Sequence, residues 1–183
     1  MSKIYQLAQK LWGYNRSITG EGSLNSLKKL KRIVPELKIL SVKSGLKVYD
    51  WEVPKEWNVK EAYIITPDKK RILDFKKNNL HLVSYSVKTK KKLKLSQLKK
   101  HLHSLKKQPS AIPYVTSYYK KNWGFCCSHN LLESKRFFPP FKVFIDSSFN
   151  SDGNLSWLEC VKKGHTEKEI LISTHCCHPS LAN

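Results

Sequence analysis

The hydrophobic period of this 183-residue chain changes twice, and those changes limit its fold more than any single motif does. Ile4, Leu7, Ala8, Leu11 and Trp12 recur at helical spacing and stop at Gly13, which predicts an amphipathic helix at the start. A polar loop over residues 15–22, with an isolated arginine and two glycines, precedes a second helical stripe of Leu24, Leu27, Leu30 and Val34 that Pro35 closes. From Leu37 the pattern alternates. Short β-branched and aromatic runs at 48–51, 62–65, 72–75 and 81–85, separated by turn residues, predict a compact β-rich unit over 45–112. Beyond Pro113 a short helix is expected over 128–134. Apolar runs then follow at 141–146, 154–161 and 169–174, the last reading as a central strand covered on both faces. Helices first and central strands later predict an α/β fold: a three-layer core over 1–44 and 113–183, interrupted by a small inserted β-rich domain over 45–112.

Charge limits the partners without naming one. Lys and Arg number 34 against 14 Asp and Glu, a net of +20, and only Arg16, Arg32, Arg71 and Arg136 are arginine. Phosphate and base recognition favours the guanidinium fork, so a lysine-dominated surface argues against nucleic acid and reads first as solvated. Residues 88–107 hold nine lysines and no acid; Ser96 can cap a helix there with Leu98, Leu102 and Leu105 on one face. That helix is either a solvated face, the reading preferred here, or a contact for an anionic polymer. Aromatics are not interleaved with its lysines as single-strand binding would require.

Five cysteines, two pairs of them adjacent, do not suit a disulfide framework. The opening residues lack the apolar core of a signal peptide and no run approaches membrane-spanning length, so the expected location is the cytoplasm, with no membrane partner.

Chemistry concentrates behind the last apolar run, in Thr174-His175-Cys176-Cys177-His178-Pro179-Ser180. Imidazole suits Zn²⁺, and the loop at a strand end is where α/β proteins gather ligands. Turns and hydrogen-bonded histidines also produce this spacing, and Cys176 and Cys177 read either as thiolate ligands or as small core residues. Arg16 reads either as a clamp for a substrate carboxylate or as the partner of a nearby acid such as Glu21. Asp50 and Glu56 suit turns and caps better than an acid pair between Trp51 and Trp57. Tyr118, Tyr119 and Trp123 suit packing better than ligand lining, and Asp146 suits a turn.

Six stretches carry a resemblance: Asn15-Arg16-Ser17-Ile18-Thr19-Gly20-Glu21-Gly22, Val48 through Trp57, Asn79-Leu80-His81, Ile112 through Tyr119, Trp123-Gly124-Phe125-Cys126, and Cys177 through Asn183. From residue 11 onward the chain resembles a bacterial family of aminopeptidase-like proteins that carries a domain of unknown function and whose members often lie beside surface-polysaccharide genes. The resemblance implies a zinc-aminopeptidase-like α/β domain, an inserted β-rich domain and a C-terminal winged-helix-like region, of which this chain resembles the N-terminal part only. It implies His178 as a metal ligand, with His175 second, in a site that holds two zinc ions in full-length relatives and takes a peptide or amide-bearing small molecule. The acidic bridging ligand and the glutamate base of such enzymes correspond to positions beyond Asn183.

Two-metal hydrolysis needs a bridging carboxylate and a carboxylate base. The expectation is therefore a truncated fragment of a zinc hydrolase with no catalytic residue of its own, weak or absent zinc binding and no activity alone. The alternative is a basic, non-enzymatic module that binds an anionic polymer, nucleic acid or acidic glycan.

Overall fold

The structure, a computed structural model, describes residues 2–134 and 137–180. In chain order its first half holds α1 (Lys3–Trp12), α2 (Glu21–Ile33), β1 (Lys38–Lys43), β2 (Lys47–Val48), β3 (Trp51–Glu52), β4 (Glu56–Ile65), β5 (Arg71–Ile72) and β6 (Thr89–Leu93). There follow α3 (Leu95–Leu98), β7 (Leu102–His103), β8 (Phe125–Cys126), α4 (His129–Leu132), β9 (Phe141–Asn150) and β10 (Asn154–Glu159). Two compact units result, one from residues 1–56 and 149–183 and the other from 57–148.

In the first unit both predicted helices form where the apolar stripes place them. Ser2 caps α1 by accepting from the Tyr5 N–H, and Gly13 follows its last turn. Strands β1 and β10 pair antiparallel, from Lys38 opposite Glu159 to Lys43 opposite Asn154, and α2 packs against both. The strand expected over 48–51 is instead the turn of a hairpin: β2 pairs β3, and Tyr49 between them has φ 55° and is fully exposed. The buried residues of this unit are few and include a cation: Leu11, Leu27 and Val53 lie with Arg16, Ser17, Thr19, Ser23 and Ser26.

The second unit is built on a four-stranded sheet in the order β5-β4-β9-β6. Thr89 to Leu93 of β6 pair antiparallel with Ile145 to Phe141 of β9. One face carries Ala62, Ile64, Phe141, Val143 and Ile145 into a core that Val83, Leu98 and Phe125 complete. Trp57 stacks on Tyr85 with centroids 5.5 Å apart, and its indole N–H donates to the Ser86 carbonyl at 3.0 Å, which also accepts from Ser147 Oγ at 2.7 Å. A buried indole donor is thereby satisfied, which lets so large a side chain be sealed.

Three expectations change. This unit runs over 57–148, not 45–112, because the apolar run at 141–146 joins β9 to the same sheet as β4 and β6, while Val53 and Gly45 bond each other's neighbourhood in the first unit (Gly45 N–H to Val53 O, 2.8 Å). Residues 88–107 form no long lysine-faced helix. Strand pairing to β9 takes 89–93, parallel pairing of Leu102 with Phe125 takes the far end, and between them remain one α-helical turn, Leu95–Leu98, and the 3₁₀ turn that continues it, Lys99–His101. Residues 169–174 are not a covered strand: Ile170, Leu171 and Ile172 are about nine-tenths exposed, and no described strand lies beside them to take their backbone hydrogen bonds. Among the described residues no helix is long and apolar enough to cross a membrane.

Candidate metal-binding loop

The loop between α1 and α2 is tied to the first turn of α2. A Cβ on Gly22 would fall 2.0 Å from the Asn15 carbonyl oxygen, so only glycine lets the loop lie so close. Ser17 N–H donates to Ser23 Oγ at 3.0 Å, the Ser23 hydroxyl donates back to the Ser17 carbonyl, and Ser17 Oγ donates to the Thr19 carbonyl at 2.6 Å. Gly20 takes a left-handed φ of 99° to enter the helix.

This knot turns Arg16 inward until 1% of it is exposed. Its Nε donates to the His178 carbonyl at 3.1 Å, Nη2 to the Pro179 carbonyl at 2.7 Å and Nη1 to the Leu11 carbonyl. Arg16, expected to meet a substrate carboxylate or an acid, thus binds the end of the first helix to the loop that carries the candidate ligands. The contacts are to main chain, so they fix backbone position whatever side chain stands there. Burial pushes the Arg16 pKa down, offset by the neighbouring Cys176 and Cys177. Guanidinium remains charged even so, and a buried cation without these acceptors would be costly.

His178 is half-buried beside it. Its Nδ1 accepts from the Ser180 N–H at 3.1 Å and lies 2.8 Å from Ser180 Oγ. Because that N–H can only donate, Nδ1 is the unprotonated nitrogen and the proton of the neutral ring sits on Nε2. Burial first, then the Arg16 charge, lowers the His178 pKa and keeps the ring neutral, as a ligand must be. The Cys177 thiol donates to Cys176, which brings Cys176 down to about 7, helped by Arg16, and raises Cys177. His175, the second expected ligand, is exposed.

These groups do not by themselves fit a zinc ion. Among the described residues no three of His, Cys, Asp and Glu converge as a metal site. The unprotonated Nδ1 of His178 is engaged by Ser180, and binding through Nε2 would move the ring proton to Nδ1 and leave the Ser180 N–H without its acceptor. Residues 181–183 of the terminal motif lie outside the described residues. Sequence reasoning missed Ser180 as the residue that sets the His178 tautomer, although its place two residues after the histidine, behind Pro179, was visible.

Residues 56–148 match the family model described as a domain of unknown function, DUF2172. The chain belongs to that family. The DUF2172 segment begins one residue before the second compact unit and ends with it, so the Arg16–His178 loop lies outside the segment that defines the family. A Clostridium acetobutylicum protein named "Putative polysaccharide biosynthesis protein with aminopeptidase-like domain" is 44% identical over 181 residues, which cover 99% of this chain and 41% of that one. A crystal structure of a "putative peptidase" from the same organism superposes with a TM-score of 0.91 at 44% identity, over 99% of this chain and 42% of that chain. The chain spans about two fifths of the length of this relative.

Proposed function

We propose that this chain is the N-terminal segment of a zinc-dependent, aminopeptidase-like hydrolase that serves polysaccharide biosynthesis and acts on a peptide or amide-bearing small molecule. The observation that carries the reading is the 44% identity over 99% of the chain to a relative named for both an aminopeptidase-like domain and polysaccharide biosynthesis. In this reading residues 57–148 are an insert in a three-layer core completed by further chain. The loop at 174–180 is one edge of a site for two zinc ions, His178 is a ligand and His175 a second one.

What the chain's own residues contribute is position. Arg16 holds the main chain of His178 and Pro179 from a buried site, and ligation by His178 would require Ser180 to release Nδ1 or the ring to change tautomer. Zinc, when bound, would supply Lewis-acid activation of water and of the scissile carbonyl. Its remaining ligands, and the carboxylate base, would come from outside the described residues, so the chain alone is inactive. We place it in the cytoplasm, where its five free thiols would stay reduced.

The test is a graft in which this chain replaces the matching segment of the Clostridium relative, assayed for zinc stoichiometry and for hydrolysis of aminoacyl anilides. Zinc binding and turnover in the graft, both lost in His178→Ala and neither found in the isolated chain, would support the reading. Full zinc occupancy in a folded His178→Ala graft, or turnover by the isolated chain, would overturn it.

A further inference from the structure

The charge of this protein is concentrated in one unit. Residues 57–148 carry twenty Lys and Arg against five Asp and Glu, so +15 of the net +20 resides on half of the chain. Four of those five acids already have partners: Glu61 pairs with Arg71 at 2.7 Å and Lys76 at 3.6 Å, Asp68 with Lys70 at 3.0 Å, Asp74 with Arg71 at 4.0 Å, and Asp146 with Lys88 at 3.1 Å. The fifth, Glu133, follows α4.

The excess gathers on the outer face of the β6–β9 ladder. Phe141, Val143 and Ile145 point into the core, so Lys142 and Phe144 point outward. Register sets Lys90 opposite Phe144 and Lys92 directly opposite Lys142, and all three lysines are exposed. Among the described residues no ion pair neutralises any of them. Like charges directly opposed across a ladder destabilise the free protein. Lysines on an edge strand such as β6 guard against edge-to-edge pairing, but Lys142 lies on β9, between β4 and β6, where no edge needs guarding. Lys142 is therefore the residue that a purely protective reading leaves unexplained.

The chemistry of the face selects among anions. Exposed ammonium groups hold a single anion weakly, so a ligand must present repeated charge, which makes it a polymer. The rings on this face are already engaged with each other and with a cation, which leaves little platform for bases: Phe144 stacks on Tyr63 with centroids 5.2 Å apart, and Arg71 lies over Tyr63, 3.8 Å from its centroid. The guanidinium that could fork onto phosphate, Arg71, is held by Glu61. Point-charge lysines whose neighbouring rings are already stacked on each other suit carboxylates on a sugar backbone.

We propose that the outer face of the β6–β9 ladder, centred on Lys90, Lys92 and Lys142, binds an acidic polysaccharide through its repeated carboxylates. This surface is independent of the hydrolase reading and of His178.

The test uses the intact chain, polygalacturonate and an oligothymidylate as probes, and titrations at about 50 mM and about 200 mM salt. The variant Lys90→Gln/Lys92→Gln/Lys142→Gln is compared with Lys28→Gln/Lys31→Gln/Arg32→Gln on α2, which removes the same charge from the other unit; thermal melts confirm that both fold. Polygalacturonate should bind the wild type and weaken with salt. The ladder variant should lose about tenfold or more in affinity and the α2 variant no more than about twofold, the scale expected for three exposed ion pairs. Equal weakening in both variants would reduce the effect to net charge and overturn the proposal. So would oligothymidylate binding as tightly as polygalacturonate, or no polygalacturonate binding at the lower salt.

Discussion

The dipeptide Cys-Cys occurs twice in this chain, and its two settings give it opposite chemistry. Cys126 and Cys127, in and just after β8, are 0% exposed, and burial pushes their thiols up to about 12 and about 11. Cys176 and Cys177 are half-buried next to Arg16, and there the Cys177 S–H and the guanidinium bring Cys176 down to about 7. The difference comes from what each backbone is fastened to. β8 lies in an apolar core, whereas the 176–180 segment is held by a buried cation through its carbonyls. One pair is inert packing, and the other belongs to a polar, tethered loop.

The comparison breaks first on packing. Phe125→Ala, immediately before the sealed pair and at a fully buried position, should cost about 3–5 kcal/mol in the intact chain, as large-to-small changes in cores do. Leu171→Ala, five residues before the polar pair and 90% exposed, should stay within about 0.5 kcal/mol. Denaturant midpoints read with the tryptophans measure both. Similar losses at the two positions would mean that the segment before Cys176 packs as tightly as β8, and the contrast would fail.

A smaller effect tests the tether. Arg16→Met keeps much of the apolar stem but leaves the carbonyls of Leu11, His178 and Pro179 without their buried donor. The expected cost is about 2–4 kcal/mol, and Arg16→Lys should recover only part of it because one ammonium cannot reproduce the fork. Amide hydrogen exchange over 174–180 should rise in both variants while exchange in β9 stays unchanged. Unaltered exchange at 174–180 would remove Arg16 as the device that positions His178.

How much of this was legible beforehand depended on whether partners were local. Ile4, Leu7, Leu11 and Leu24, Leu27, Leu30 announce α1 and α2 because a helix is specified by its own stripe, and the apolar runs at 141–146 and 154–161 became β9 and β10. The leucines of 93–105 fit a helical stripe equally well, yet pairing with β9 and β8 overrode it. The run at 169–174 has the composition of a central strand, but composition cannot supply a neighbour. Arg16 was visible as an unusual residue, and His178 as a candidate ligand; that the first holds the carbonyl of the second, 162 residues away, was not readable from either segment. The open face around Lys142 was hidden for the same reason, since its opposition to Lys92 exists only in the register of the ladder.

The smallest effect bears most directly on the two cysteine pairs. With Cys176 at about 7, a substantial share of it is thiolate at neutral pH, so its alkylation by iodoacetamide should rise with pH up to about 7 and then flatten, whereas an ordinary thiol continues to gain until about 8.5. Cys126 and Cys127 should remain unmodified at every pH where the chain is folded, because they are inaccessible as well as protonated. Mass spectrometry of the tryptic peptides separates these sites from exposed Cys160. Arg16→Lys retains a positive charge but loosens its geometry, so it should move the Cys176 midpoint upward by less than Arg16→Met does. If both variants leave the midpoint in place, the Cys177 hydrogen bond alone accounts for the low value, and the guanidinium acts on this loop only through the carbonyls of His178 and Pro179. If both move it by the same amount, the effect depends on the fork itself rather than on its charge, and the electrostatic half of the contrast between the two pairs is lost.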